Sequence, residues 1–367
     1  MLAIYRKYRP KTFEELLGQE HIVEVLKNAA AQNKFAHAYL FYGPKGSGKT
    51  TAARLIAKLA NCENRQKDEK FRAKGEPCNK CSACQQIDSG QALDVIEIDA
   101  ASNRGIDEIR DLKEGVKISP TSFQYKIFII DETHMLTREA FNALLKTLEE
   151  PPKQVILILA TTEFEKVPAT ISSRTQRFHF QKISLDKIIG KLTRVAAEEK
   201  IKIAPDALEL IASLGEGSFR DSESLLDQIA SLDQDITIKD VEKIAGKVGR
   251  KKTSALAELI FKNDLEKSLD YLNELDREGQ NLVELNKELI HYIRRVLTLK
   301  LNPGIEELYK KELTTNDIEI LKNHAALINE SKTMALLKSL IRAYSEMRYS
   351  PFAIVPLEIA IIENLKK

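Results

Sequence analysis

Hydrophobic residues in the first half of the chain are concentrated in short runs. Four such runs, at 38–42, 94–99, 126–130 and 154–160, are rich in aliphatic and aromatic side chains. Runs of this length predict buried β-strands. The intervening stretches have the spacing of amphipathic helices, and strands that alternate with helices favour a parallel sheet with crossover connections. The first half is therefore predicted to be an α/β domain.

Helical periodicity replaces the strand pattern in the second half. From about residue 184 no further strand-like run occurs, and Pro205 is placed to begin a helix. Another helix is predicted over 220–232, and from about 250 the pattern is helical again, with a last apolar stripe over 356–365. We predict an α/β domain over 1–182, a small helical domain over 183–247 and an all-α domain over 248–367.

Length and charge narrow the class of protein. A chain of 367 residues is too long for one compact core and fits two or three domains. The formal net charge is only +2, so any binding to nucleic acid needs an arranged patch or helix N-termini rather than bulk charge. The basic clusters at 6–11 and 67–74 are equally typical of a solvated face.

Targeting signals are not apparent in the sequence. No apolar run reaches the ~18 residues that span a bilayer, and the first ten residues lack the apolar stretch of a signal peptide. We expect a cytoplasmic protein that does not bind membranes. Four cysteines in such a compartment favour metal binding or free thiols over disulfides.

A glycine-rich phosphate loop is predicted between the first strand and the helix at 49–61. The segment G-P-K-G-S-G-K-T at 43–50 matches the pattern G-x-x-x-x-G-K-[ST] in the strand-to-helix context that this motif requires. Glycines let backbone N–H groups turn towards phosphate oxygens, Lys49 would contact the β- and γ-phosphates, and Thr50 would bind Mg²⁺. The predicted nucleotide contacts are Gly43, Pro44, Lys45, Gly46, Ser47, Gly48, Lys49, Thr50 and Thr51.

An acidic pair follows the third predicted strand. Asp131 and Glu132 end the run I-F-I-I-D-E, where a buried carboxylate needs a cation or hydrogen-bond donors. Asp131 is suited to hold the magnesium ion, and Glu132 to polarise the attacking water. The plainer alternative is an acidic pair in a solvated turn.

Four cysteines form a candidate zinc site. Cys78, Cys81 and Cys84 have the spacing C-x-x-C-x-x-C, and Cys62 lies sixteen positions earlier. Four thiolates are enough for a tetrahedral structural zinc site, which leaves no open position for catalysis. The alternative is a set of reduced cysteines without a metal.

Two arginines are candidates for contact with the γ-phosphate. Arg174 follows the fourth strand and a short connector, and Arg220 begins a predicted helix. A guanidinium near the γ-phosphate stabilises the charge of the transition state. Taken alone, each is equally explained as a surface or ion-pair residue.

The order of these motifs resembles the gamma/tau subunits of bacterial DNA polymerase III, which are AAA+ ATPases of the clamp loader. The resemblance is close over 1–246 and looser beyond. It is carried by Y-R-P at 8–10, G-Q-E-H at 18–21, I-D-A-A-S at 98–102, D-E-T-H-M-L at 131–136, F-N-A-L-L-K-T-L-E-E-P-P at 141–152 and A-T-T at 160–162, together with the phosphate loop and the cysteines.

The resemblance implies a role for each matching position. Thr162 would be a first sensor near the γ-phosphate, Arg220 a second sensor, and Arg174 a finger that acts on ATP in the neighbouring subunit. The family usually has cysteine after this arginine, where Thr175 stands here. The segment 8–12, with Gln19 and His21 nearby, would surround the adenine, so Tyr8, Arg9 and Pro10 are expected to contact the nucleotide. Arg104 is our candidate for a contact with DNA. The zinc ligands would be Cys62, Cys78, Cys81 and Cys84.

The implied function is that of a replication motor. Such a subunit binds ATP, Mg²⁺ and Zn²⁺. It has a helical lid and an all-α collar domain for oligomerisation, and it assembles with the delta and delta-prime subunits and with further copies of itself. It opens the sliding clamp and loads it on primed DNA. Two alternatives remain: a non-hydrolysing structural subunit of the same loader, and another AAA+ enzyme of DNA, such as a branch-migration helicase.

Overall fold

The computed structural model describes residues 3–102, 114–232, 235–245, 250–310, 313, 315–347 and 349–366. These residues form two compact units. The first comprises 1–195 and 215–227, and the second comprises 196–214 and 228–367. The division into three domains stays a prediction beside these two units.

A parallel β-sheet forms the centre of the first unit. Its described strands are β1 (Ala38–Tyr42), β2 (Val95–Asp99), β3 (Lys126–Asp131), β4 (Val155–Thr161) and β5 (Gln176–His179). They lie in the order β2-β3-β4-β1-β5, and every neighbouring pair is parallel. The four predicted strands are present within one residue of their predicted bounds. The prediction of an α/β domain with a parallel sheet is confirmed.

The edge strand β5 was not predicted from the sequence. It has four residues, and only Phe178 is buried, while Gln176, Arg177 and His179 are exposed. A strand that pairs with β1 on one side alone has no need of a continuous apolar run. The hydrophobic pattern therefore gave too weak a signal to identify it.

Helices cover both faces of the sheet. Successive residues of a strand point to opposite faces, so Ile127 and Ile129 join one buried cluster, while Phe128 and Ile130 join the other. Both faces of β3 are thus apolar, as expected for a parallel sheet buried on each side. The longer helices in this part of the chain are Glu20–Ala31, Lys49–Asn61, Ser82–Ser89 and Arg138–Glu149.

The remainder of the chain is helical. One buried cluster of the second unit forms around Leu285, Leu289 and Ile293 of the helix Leu282–Leu301. No helix among the described residues is both long and apolar enough to cross a membrane. The described helices of eight or more residues are Leu185–Glu198, Pro205–Leu214, Phe219–Ala230, Ile238–Ala245, Arg250–Phe261, Leu265–Arg277, Leu282–Leu301, Thr315–Leu327, Glu330–Met347 and Ile354–Leu365.

A buried carboxylate fixes the loop that leads into β3. Asp94 is 2% exposed and accepts backbone N–H hydrogen bonds from Thr121 at 2.8 Å, Ser122 at 2.7 Å and Phe123 at 2.9 Å. Burial alone would raise the pKa of Asp94, but the three donors outweigh it, and the pKa is lowered. The loop is therefore held by the charged form of this side chain.

We predict that Asp94→Asn lowers the free energy of unfolding by about 2–3 kcal/mol, because the amide has one acceptor atom for three buried donors. The pKa of Asp94 is lower in the folded chain than in the unfolded chain. The charged carboxylate therefore stabilises the fold at pH values above the unfolded-state pKa, and this stabilisation is lost as the pH falls through the folded-state pKa. The difference between variant and parent, measured by denaturant unfolding, should therefore shrink at acidic pH. Asp186→Asn, at an exposed position, is the matched control and should change little.

Candidate active site

Three strands deliver the predicted site residues to one edge of the sheet. In a parallel sheet all carboxyl ends lie together, so the loops after β1, β3 and β4 meet there. A cavity at this edge is lined by residues of the first unit alone. Its lining is Tyr5, Arg9, Pro10, Leu16, Leu17, Lys45, Gly46, Ser47, Gly48, Lys49, Thr50, Thr51, Asp131, Glu132, Lys191, Phe219, Arg220 and Glu223.

The phosphate loop depends on glycine at positions where a side chain has no room. Gly43, Gly46 and Gly48 have φ angles of 142°, 71° and 102°, which L-residues with side chains rarely adopt. A methyl group on Gly43 would stand 2.2 Å from the backbone oxygen of Phe180. The loop therefore packs against the segment after β5, and this contact fixes its path.

The ammonium group of Lys49 is held at the centre of the loop. Lys49 is 6% exposed, and its Nζ donates to the carbonyl oxygens of Gly43 at 2.9 Å and Pro44 at 2.8 Å. Burial lowers the pKa of Lys49, and the carboxylates of Asp131 and Glu132 oppose that effect. A buried cation in this position favours an anion in the cavity.

Thr50 and Asp131 bring two oxygen atoms together beside Lys49. The Thr50 hydroxyl donates to Oδ2 of Asp131 at 2.7 Å. Hydroxyl and carboxylate oxygens are the kind of ligand that Mg²⁺ prefers, and phosphate oxygens and water complete its octahedral shell. The pair therefore fits a magnesium ion bound together with a nucleotide.

Glu132 is oriented by residues that follow β4. Its backbone is left-handed, with φ 47°, and its Oε2 accepts from the Thr162 hydroxyl at 2.9 Å. His134 lies beside it, with Nδ1 3.4 Å from the same oxygen and 3.0 Å from the Thr161 hydroxyl. Thr162 thus contacts the predicted base directly, although it does not line the cavity. His134 was part of a motif in the sequence but received no role.

The N-terminal segment forms one wall of the cavity. Arg9 and Pro10 line it as predicted, whereas Tyr8 lies outside the lining. Tyr5 joins them, and the guanidinium carbon of Arg220 lies 5.2 Å from the centre of its ring. Leu16 belongs to the same wall and was not predicted, since its apolar side chain carries no chemical signal in the sequence.

Gln19 and His21 support this wall from behind. Gln19 is fully buried, donates to the carbonyl oxygens of Ser47 at 3.2 Å and Gln181 at 2.8 Å, and accepts from the Gln181 N–H at 3.0 Å. Nε2 of His21 lies 3.1 Å from the carbonyl oxygen of His179. Neither residue lines the cavity, and their contacts brace the phosphate loop and the end of β5; a place near the adenine stays a prediction.

A buried ion pair closes another side of the cavity. Nζ of Lys191 lies 2.8 Å from Oε1 of Glu223, and both side chains are more than nine-tenths buried. The ammonium group also lies 4.6 Å from the ring centre of Phe219. These three residues were not identified from the sequence, because a buried pair on two separate helices leaves no local motif. Burial raises the pKa of Glu223, and the charge of Lys191 partly offsets the rise.

Arg174 does not line the cavity of its own chain. Arg174 donates to the Thr170 carbonyl at 2.9 Å and pairs with Glu149 at 2.9 Å, with about a third of its side chain exposed. Arg104, the predicted contact for DNA, lies outside the described residues. Among the other predicted contacts, Gly43 and Pro44 also lie outside the lining, although their carbonyls hold Lys49.

The four cysteines meet in one cluster. The Sγ atoms of Cys62, Cys78, Cys81 and Cys84 all lie within 4.8 Å of one another. Four sulfur ligands at ~2.3 Å from a tetrahedral zinc ion stand ~3.8 Å apart, so the set fits that metal with small movements. The Cys81 N–H donates to the Cys78 sulfur at 3.3 Å, and the Cys78 N–H to the Cys62 sulfur at 3.4 Å. Hydrogen bonding from Cys84 is the main cause that lowers the pKa of Cys62.

Family models match almost the whole chain in three consecutive pieces. Residues 18–184 match the model described as DNA polymerase III, delta subunit. Residues 187–233 match the ATPase lid domain of the DNA polymerase III clamp loader subunit, and residues 236–366 match domain III of DNA polymerase III subunits gamma and tau.

Individual relatives give the same result. The chain is similar to DNA polymerase III subunit tau of Bacillus subtilis, with 42% identity over 98% of this chain and 62% of that protein. It is also similar to DNA polymerase III subunit gamma of Buchnera aphidicola, with 34% identity over 97% of this chain and 96% of that protein. A solved structure, the Bacillus subtilis DNA clamp loader delta protein, is 14% identical with a TM-score of 0.43, covering 94% of this chain and 99% of that one, a likeness too distant to carry weight.

We predict that Gly43→Ala destabilises the protein by about 2 kcal/mol more than Gly90→Ala does. Both glycines have positive φ angles, so a side chain strains the backbone at either position. Only at Gly43 would the new methyl group collide with backbone, whereas nothing lies within 4 Å of the corresponding point at Gly90. Denaturant unfolding of both variants measures the difference, and equal losses would contradict the close approach of the loop to Phe180.

Proposed function

This chain belongs to the clamp-loader family of DNA polymerase III gamma and tau subunits, which are AAA+ ATPases, and we propose that it is an ATP-hydrolysing motor of that loader. The chain spans about three-fifths of the length of the Bacillus subtilis tau subunit that it matches. In the proposed role it binds ATP with Mg²⁺, helps to open the sliding clamp, and places it on primed DNA during replication of the bacterial chromosome.

One observation carries the proposal: the phosphate-binding and hydrolytic groups meet at one edge of the sheet. Lys49 supplies a buried cation, the Thr50–Asp131 pair supplies two oxygen ligands, and Glu132 lies beside them in the same cavity lining. A structural subunit without hydrolysis has no need to retain all four groups, so their joint presence favours the motor over that alternative.

Each group has a definite part in the proposed reaction. Backbone N–H groups of the phosphate loop and the Lys49 ammonium would bind the β- and γ-phosphates. Thr50 and Asp131 would hold Mg²⁺, which neutralises the charge of these phosphates when bound. Glu132, held by Thr162 at 2.9 Å, would orient and polarise the attacking water.

Arg220 and Arg174 would act at different sites. Arg220 lines the cavity of its own chain beside Tyr5, which suits a sensor that reports a bound nucleotide. Arg174 lies outside that cavity and is partly exposed, which suits a finger that contacts ATP in a neighbouring subunit. Arg104 stays our proposed contact with DNA.

The proposed partners follow from membership of the loader family. Delta, delta-prime and further copies of this chain would form the loader, with the helices beyond 248 as the collar through which they assemble. The clamp and primed DNA would bind to the assembled loader. Because replication of a bacterial chromosome takes place in the cytoplasm, we propose that the chain works there.

Zinc is the proposed ligand of the cysteine cluster. Four sulfur atoms within 4.8 Å of one another and three backbone N–H donors to those sulfurs, from Cys78, Lys80 and Cys81, favour a structural zinc site over free thiols. With four protein ligands such an ion would stabilise the loop and would take no part in hydrolysis.

We predict that Lys49→Ala weakens ATP binding by about tenfold to a hundredfold, because a charge-assisted contact to the phosphates is lost. Fluorescence titration with a labelled ATP analogue measures the affinity. Assembled with its partner subunits, the variant should fail to load clamps on primed DNA.

The matched variant is Glu132→Gln, which has the same shape without the basic oxygen. It should bind ATP as tightly as the parent chain while hydrolysis falls by about a hundredfold or more. Clamp loading by the Lys49→Ala loader at the parent rate would sink the motor proposal. Separation of a forked duplex by the isolated chain would favour the helicase instead.

We also predict that the double variant Cys78→Ser, Cys81→Ser retains less than about a tenth of the parent zinc content, since hydroxyl oxygens are poor ligands in a four-thiolate site. Elemental analysis of purified protein gives the content directly. A variant with full zinc content would refute the proposed site.

A further inference from the structure

The N-terminal segment over residues 9–17, here called the strap, lines the cavity only at its two ends. Arg9 and Pro10 line it at one end, and Leu16 and Leu17 at the other. The middle of the strap, residues 11–14, lies away from the lining and is bound by the loop that carries the cysteines, residues 62–84. The strap therefore joins two sites that the proposed function treats separately.

The first link between loop and strap is a carboxylate in the cysteine loop. Glu76 is 9% exposed, and its two oxygens accept the backbone N–H groups of Phe13 at 2.8 Å and Glu14 at 3.2 Å. Nζ of Lys27 lies 3.0 Å from the same side chain and neutralises it. If the strap moved away, a buried carboxylate would lose two of its donors, which is costly.

The second link is an amide between two of the cysteines. Asn79 donates from Nδ2 to the carbonyl oxygen of Lys11 at 3.0 Å and accepts from Nζ of Lys58 at 3.0 Å. Lys58 is 1% exposed and belongs to the helix Lys49–Asn61, which begins at the phosphate loop. This one side chain therefore connects the strap, the helix and the turn between Cys78 and Cys81.

The backbone of the loop makes the arrangement close-packed. Gly75 has φ +66°, and a methyl group there would stand 2.7 Å from the carbonyl oxygen of Lys27. Phe13 is 1% exposed and anchors the strap in the core below the sheet. Glu76 lies between this close contact and Cys78, so a change in the path of the cysteine loop would move the carboxylate that holds the strap.

We propose that the cysteine loop holds the strap in the conformation that binds nucleotide, with Glu76 and Asn79 as positioning residues, so that zinc in the cluster raises the affinity of the cavity for ATP. This coupling rests on the proposed function, since it assigns a regulator to the same nucleotide site. The coupling is reciprocal by thermodynamic linkage, so bound nucleotide raises the affinity of the cluster for zinc by the same factor. The strap would contact the nucleoside part of the nucleotide, because the phosphates would bind to Lys49 and the phosphate loop, which lie outside the strap.

The test uses the full chain with zinc bound and compares Glu76→Gln and Asn79→Gly with the parent. Glycine at position 79 keeps the positive φ of 57° while it removes the amide. Both variants should keep the parent zinc content and bind labelled ATP about fivefold more weakly or worse. Removal of zinc from the parent by a chelator should weaken ATP binding by a similar factor, and saturating nucleotide should raise the zinc affinity of the parent, measured by competition with a chelator of known affinity.

Two controls separate this coupling from general damage. Asp68→Asn changes an exposed carboxylate of the same loop that accepts from Lys70 and Phe71 rather than from the strap, and it should leave ATP affinity unchanged. Tripolyphosphate with Mg²⁺ should bind all variants equally, because it would contact the phosphate loop and the magnesium ligands rather than the strap.

The outcomes distinguish the two proposals. A parent chain that binds no ATP overturns the proposed function itself. The coupling alone is overturned if the parent binds ATP and the zinc-loaded Glu76→Gln and Asn79→Gly variants bind ATP within twofold of the parent affinity. Equal weakening of tripolyphosphate and ATP also overturns it, since the loss would then arise at the phosphate loop.

Discussion

The nucleotide site is organised around the buried ammonium group of Lys49, which has no direct contact with a carboxylate in the described part of the chain. Lys49 is held by two carbonyl oxygens of its own loop, and these dipoles compensate only part of the hydration that the charge loses on burial. The carboxylates of Asp131 and Glu132 offset part of the remaining cost, since their charges oppose the lowering of the Lys49 pKa by burial. An anion in the cavity would relieve the rest of that cost.

The sequence predicts a feature of the structure correctly where a local pattern of residues is enough to define that feature. The bounds of β1 and of the helix Lys49–Asn61 follow from apolar runs and a glycine-rich turn, and both are as predicted. Asp131 and Glu132 were singled out because a carboxylate at the end of a buried strand needs a cation or hydrogen-bond donors, and both line the cavity. The predicted family is confirmed by the matches to the gamma and tau models.

Other features could not be predicted, because they depend on residues distant in the chain. The pair Lys191–Glu223 joins two helices, and nothing in either helix alone indicates the partner. Leu16 lines the cavity as an ordinary apolar side chain. Tyr8 belongs to a motif of the family yet lies outside the lining, since a motif fixes the path of a segment more firmly than the direction of each side chain.

The short strand β5 has a consequence for how this chain meets other molecules. An exposed sheet edge can add a strand from another molecule, and long apolar edges are the most prone to do so. Strand β5 has only four residues, of which three are exposed, and one of these three is an arginine. It therefore offers a short edge without an exposed apolar surface for such addition. Addition of a foreign strand at β5 is therefore disfavoured.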